Sequence, residues 1–201
     1  MPGGQRRELT PTELRVLDAV RTCCARWGIE KVTVDDIARE SGVSRATLYR
    51  LFPGGKDVIF DALRVHEIDE FFAELEGHLD GAVDLEDLLV RAITASTAAL
   101  RNDEHLAIML ATEPGSIVSE LSVDGLPRII SMATNSLMPY VERFIPVEQA
   151  RPVIDLVVRL VISFFLSPSP DLDLADPASA RAYMTPLIDA AVTAARSETT
   201  S

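Results

Sequence analysis

Apolar residues recur along this chain at the three- and four-residue spacing of amphipathic helices, and no segment shows the alternation of a strand. The first run, Pro11 to Trp27, puts Leu14, Leu17, Val20, Cys24 and Trp27 on one face and stops at Gly28. A second helix starts after Thr33, an N-cap residue with Asp36 three positions on, a conservative capping box. A third covers Ser44 to Leu51, with Ser44 as its cap. Between these two lies Ser41-Gly42-Val43, where Gly42 can take a positive φ and the small Ala38 lets two helices cross closely. Ile37, Val43, Leu48 and Leu51 supply the inward face of both. That spacing is a helix-turn-helix.

Pro53-Gly54-Gly55 breaks the chain, and a longer helix is predicted from Lys56 to about Leu79, with Val58, Ile59, Leu63, Ile68, Phe71, Phe72 and Leu75 among its apolar positions. Further helices are predicted over Leu85–Arg101, Asp103–Thr112, Leu126–Phe144 and Glu148–Leu166. A break falls at Glu113-Pro114-Gly115, a short helical stretch over Ile117–Leu121, and a kink near Pro139. A proline-rich acidic linker, Ser167 to Pro177, leads to a last helix, Ala178 to Arg196. The expected fold is all-α. Residues 1–55 form a three-helix helix-turn-helix domain, and residues 56–201 a six-helix domain for ligand binding and dimerisation.

The outward side of the third helix carries Ser44, Arg45, Thr47, Tyr49 and Arg50, side chains that bond phosphates and base edges. This pattern implies double-stranded DNA as a partner. The net charge of −12 argues the other way until it is divided. Residues 1–56 hold ten Lys/Arg and seven Asp/Glu, a net of +3, whereas residues 57–201 hold nine and 24, a net of −15. Positive charge is confined to the segment with the motif, as in a DNA-reading head on a body that does not touch DNA.

Other classes find little support. His66, His78 and His105 do not recur at metal-ligand spacing, and no H-E-x-x-H, C-x-x-C or P-loop is present, so no catalytic residue, metal or cofactor is expected. Cys24 falls on the apolar stripe of the first helix and reads as a core residue. Cys23 and Cys24 are adjacent and have no other cysteine to pair with, which fits a reducing cytoplasm. MPGGQRRELT lacks the apolar stretch of a signal peptide, and Val153 to Leu166 is short and interrupted by Asp155 and Arg159, so no membrane role is expected. With 47% hydrophobic residues the chain can bury a sizeable core without disulfides.

The segment TVDDIARESGVSRATLYRLFPGGKDVIFDAL resembles the DNA-binding domain of the TetR family of transcriptional regulators, from the second helix to the start of the fourth. Tyr49-x-x-Phe52 followed closely by a lysine is the specific part. The second glycine before Lys56 lengthens the usual link by one residue. The motif covers about a quarter of the chain; the rest is similar in helix count, length and a greasy penultimate helix. Thr33 and Ser44 are caps whose hydroxyls and neighbouring amides suit phosphate. Arg45 and Thr47 are candidates for base-edge contact, with phosphate alone the alternative for Arg45. Ala46 can touch a thymine methyl or merely allow close approach. Tyr49 would place its hydroxyl on a phosphate, Arg50 would do likewise or stay solvated, and the resemblance makes Lys56 a phosphate contact. Phe52 and Trp27 are expected in the core of the small domain.

In the body, Val153 to Leu166 is apolar on nearly every side, which calls for burial on every side. The last helix carries a stripe of Met184, Leu187, Ile188, Ala191 and Ala195. Two such helices from each subunit would make a two-fold four-helix interface, so a homodimer is expected. The resemblance further implies a ligand cavity. Its candidate lining is Phe71, Phe72, Leu75, Leu89, Ile93, Met109, Ile130, Ala133, Leu137, Tyr140, Val157, Val161 and Phe165. The polar exceptions are Ser96, Asn135 and Tyr140, with Arg91, His105 and Glu113 nearby. An apolar or amphipathic effector such as an acyl chain or hydrophobic drug fits this lining. The implied function is a repressor that binds a palindromic operator and is released by its ligand. An activator of the same fold, or a helical binding protein without DNA recognition, are the alternatives.

Overall fold

The computed structural model describes residues 9–103, 106–107, 110–111, 114–121 and 125–198. Met109, His105 and Glu113 lie outside these residues, as do the side chains of Ile188, Ala191 and Ala195. All regular structure among the described residues is helical: α1 Pro11–Trp27, α2 Val34–Ser41, α3 Arg45–Leu51, α4 Lys56–Leu79, α5 Leu85–Asn102, α6 Pro114–Leu121, α7 Leu126–Val141, α8 Val147–Leu166 and α9 Pro177–Glu198. Residues 106–107 and 110–111 are also helical, within the expected helix Asp103–Thr112, the rest of which, apart from Asp103, lies outside the described residues. The chain divides within α4 into two compact units, one ending at Glu67 and the other starting at Ile68. The sequence put this boundary at the Pro-Gly-Gly break. It falls later because Ile59, Phe60 and Leu63 of α4 are buried with the core of α1–α3.

In the first unit, α1 opens with a full capping box. The Thr10 amide donates to Glu13 Oε2 at 2.8 Å, and the Glu13 amide donates back to Thr10 Oγ1 at 3.3 Å. Pro11 follows at a position where a missing N–H costs nothing. The core joins Val16, Leu17, Val20 and Cys23 of α1 to Ile37 of α2, Leu48 of α3 and Phe52. Phe52 is buried as expected, but Trp27 is 41% exposed. It is the last residue of α1, where the chain turns away at Gly28 (φ +80°).

In the second unit, α8 packs against α7 and α5, and α5 packs against α9. One cluster buries Phe72, Leu75 and Leu79 of α4 with Leu88 and Ala92 of α5, Ala133 and Leu137 of α7, and Ile154 and Val158 of α8. A second buries Leu89, Val90 and Ile93 of α5 with Val157 and Val161 of α8 and Ala180 and Met184 of α9. Three features differ from the sequence pattern. The short helix expected over Ile117–Leu121 already begins at Pro114, within the expected break, since proline is accommodated in a first turn. The acidic linker is anchored, with Leu174 buried in the second cluster and Asp173 paired to Arg101 at 2.5 Å. On α8, Leu156 remains 47% exposed although the pattern from Val153 to Leu166 called for burial on nearly every side. No described helix is long and apolar enough to cross a membrane.

Candidate nucleic-acid interface and ligand site

The turn between α2 and α3 is built by local bonds. Ser41 Oγ donates to the Ile37 carbonyl at 2.6 Å and accepts from the Val43 amide at 3.3 Å. Gly42 takes the left-handed conformation at φ +67°. Burial of Ile37, Val43 and Leu48 then fixes which side of α3 faces out. Ser44, Arg45, Ala46, Tyr49 and Arg50 are exposed together, and Thr47 is half-buried beside them. Ser44 Oγ accepts from the Thr47 amide at 3.2 Å and donates to Thr47 Oγ1 at 3.0 Å, which caps α3 and fixes both hydroxyls. Thr33 is exposed at the start of α2, locked to Asp36 by reciprocal bonds. Those bonds to Thr33, with Arg39 close by, hold the Asp36 carboxyl below its ordinary range.

Two candidates have partners that spacing did not disclose. Arg45 Nε lies 3.0 Å from Asp35 Oδ1, an ion pair joining the two helices of the motif. Lys56 turns inward: its ammonium donates to the carbonyls of Ile29 at 3.0 Å and Glu30 at 3.1 Å, and lies 5.4 Å above the Phe60 ring. The resemblance made it a phosphate contact, yet two of its three N–H bonds are already used. Gly55, which nothing in the sequence singled out as a site residue, is buried beneath Tyr49.

Of the proposed ligand residues, Phe72, Leu75, Ala133 and Leu137 meet in the first cluster of the body, and Leu89, Ile93 and Val161 in the second. Phe71 packs edge-to-face on Phe72 at 5.2 Å between ring centres, and Ile130 lies against the same cluster. Phe165 is half-buried on α8 and Arg91 is tied to Asp87. Asn135 is exposed and does not join these residues. Ser96 is buried, and so is its neighbour Thr97, whose hydroxyl has no hydrogen-bond partner among the described residues.

An apolar cavity of about 10 Å³ lies among Leu79, Leu88, Leu89, Ala92, Leu137, Tyr140, Val141, Ile154 and Val157. Leu89, Leu137, Tyr140 and Val157 were expected there. Leu79, Leu88, Ala92, Val141 and Ile154 were missed because an apolar helical stripe does not say which of its members border a gap. The volume is about that of a single water, so this space admits an acyl chain only if its walls part. Burial raises the Tyr140 phenol above its ordinary range, assisted by the negative charge of Glu76 and Asp80. Among the described residues no group of His, Cys, Asp and Glu could hold a metal.

The pattern defining bacterial regulatory proteins of the tetR family matches residues 16–63. An uncharacterised helix-turn-helix-type transcriptional regulator of Mycobacterium tuberculosis is 32% identical over 130 residues, covering 61% of this chain and 66% of its own, so the chain spans just under two thirds of that relative. Among solved structures, the TetR family repressor AlkX of Dietzia sp., implicated in biodegradation of n-alkanes, has a TM-score of 0.67 at 26% identity, covering 93% of this chain and 98% of its own. The fatty acid degradation regulator FadR of Bacillus halodurans shares the fold, with a TM-score of 0.56 at 18% identity, covering 89% and 96%.

Proposed function

Since the chain belongs to the TetR family of bacterial regulatory proteins, we propose that it is a transcriptional repressor that binds operator DNA as a homodimer and is released by an aliphatic small molecule. The observation that carries the DNA reading is the exposed row on α3, Ser44, Arg45, Ala46, Tyr49 and Arg50, behind a buried Leu48. A helix presented this way fits the major groove. Arg45 and Thr47 read base edges, with Ala46 close enough for a thymine methyl, and the hydroxyls of Thr33, Ser44 and Tyr49 with the Arg50 guanidinium bond phosphates.

Dimerisation is supported by the exposed apolar side chains of the last two helices, Leu156 of α8 and Tyr183 and Leu187 of α9. A two-fold pair requires a near-palindromic site with half-sites about one helical turn, or a multiple, apart. An aliphatic effector is supported by the wholly apolar cavity beside α4 and by the likeness to a repressor implicated in n-alkane biodegradation. Genome-wide mapping of bound DNA, followed by shift assays with and without linear fatty acids and alcohols, tests the reading. Selection of a palindrome that a linear aliphatic releases is the expected result; absence of any preferred sequence would refute the repressor.

A further inference from the structure

Lys56 and Gly55 stand where the helix-turn-helix meets α4, and their contacts run into the first unit. Lys56 is the first residue of α4 and half-buried. Its ammonium bonds both carbonyls of the turn after α1, Ile29 and Glu30, and rests over Phe60 one turn along its own helix. A lysine that serves a phosphate as a point charge needs its donors free and its stem mobile, and this one is held at three points. Gly55 does two things at once. Its carbonyl accepts from the Ile59 amide at 3.1 Å, starting the α4 ladder. Its bare Cα, at φ +72°, makes room for the Tyr49 ring, since a Cβ there would lie 3.0 Å from Tyr49 Cε1. The start of α4 is therefore tied to α3 through Tyr49 and to the turn before α2 through Lys56.

We propose that Gly55 and Lys56 are positioning residues that fasten α4 to α3 and to the turn between α1 and α2, Lys56 acting through the Ile29–Glu30 carbonyls and not through a phosphate. This rests on the DNA-binding reading and gives α4 its grip on the interface. A shift of the first turn of α4 cannot leave α3 and the turn before α2 behind while these contacts hold.

The test uses the full-length chain, with Lys56→Met and Gly55→Ala measured against wild type on the DNA that wild type selects and on random-sequence DNA, across a salt series. The fold is checked by circular dichroism. A phosphate contact would reveal itself by a loss of about 0.9 in the log–log salt slope, with both DNAs weakened alike. The joint predicts instead an unchanged slope for both variants and a fall of tenfold or more on selected DNA. On random DNA it predicts less than twofold change for Lys56→Met and, because Tyr49 is displaced from its phosphate, a smaller loss than on selected DNA for Gly55→Ala. A reduced slope in Lys56→Met, or an unaltered preference for selected DNA in either variant, overturns the proposal. Should Lys56→Met fail to fold, Gly55→Ala decides alone, since it keeps every charge. Wild type that selects no sequence would instead sink the DNA-binding reading, a result visible before any variant is made.

Discussion

Arg45 and Thr47 sit two residues apart on α3 but are held differently, the first by Asp35 across the motif and the second by Ser44 at the cap. On the DNA-binding reading, these partners place both side chains before DNA arrives, which lowers the ordering cost of each proposed contact. Replacing either by alanine should cost ~1–3 kcal/mol on the selected operator and relax preference at one base pair per half-site, as read by binding to a set of single-base variants. Equal loss on every variant would assign that side chain to phosphate. The capping hydroxyls and the exposed row of α3 were legible in the sequence, because helix periodicity fixes which residues face out. The inward turn of Lys56 was not, because its partners are backbone carbonyls 26 and 27 residues away that any sequence would supply. Thr97 makes the opposite point. Its buried hydroxyl is unpartnered among the described residues, so Thr97→Val should raise stability by about 1 kcal/mol in a denaturant titration. A loss of stability would mean that the hydroxyl has a partner in solution.

At the scale of elements, the caps and breaks that bound α1 to α5 are local signals, which is why those helices begin and end within about a residue of where the pattern puts them. The linker before α9 was legible as a linker from its prolines and acids, but its anchoring by Leu174 in the second core cluster and by Asp173 on Arg101 was not. The start of α9 is fastened to α5 by charge. Arg181 reaches Glu86 at 2.9 Å and Asp87 at 3.5 Å, and Asp87 also holds Arg91 at 3.0 Å. The Arg91 bond, the Val83 amide and the charges of Arg91 and Arg181 together keep the Asp87 carboxyl below its ordinary range. A carboxyl with a lower pKa folded than unfolded stabilises the fold above the unfolded value, near ~4, and that stabilisation disappears as pH falls through the folded value. The thermal midpoint should therefore drop between about pH 5 and pH 3. Asp87→Asn should start lower at neutral pH and lose less over that interval. A variant whose midpoint tracks wild type at every pH would show that this network does not secure α9.

On the repressor reading proposed above, a ligand in the body changes binding at the head, and among the described residues α4, Lys56 to Leu79, is the helix that contributes to both compact units. Its last residue lines the apolar cavity, and its first holds the turn before α2. A cavity of about 10 Å³ cannot accept an alkyl chain without parting its walls, and Leu79 is one of them. Only a ligand that binds the parted form better can move the equilibrium, by as much as that difference in affinity. Leu137→Ala makes the parting partly unnecessary. Leu137 is a buried part of the wall of the same cavity, and its truncation should cost ~2–5 kcal/mol of stability while leaving space behind. Added 1-decanol should then raise the thermal midpoint of the variant more than that of wild type, through preferential binding to the folded state. The sign on DNA separates two arrangements. If α4 transmits the parting of the walls, the variant binds decanol tightly yet releases operator less completely at saturation, because its enlarged cavity accommodates the chain without moving Leu79. If release at saturation equals that of wild type, the ligand acts on the head by a route that does not pass through the walls of this cavity.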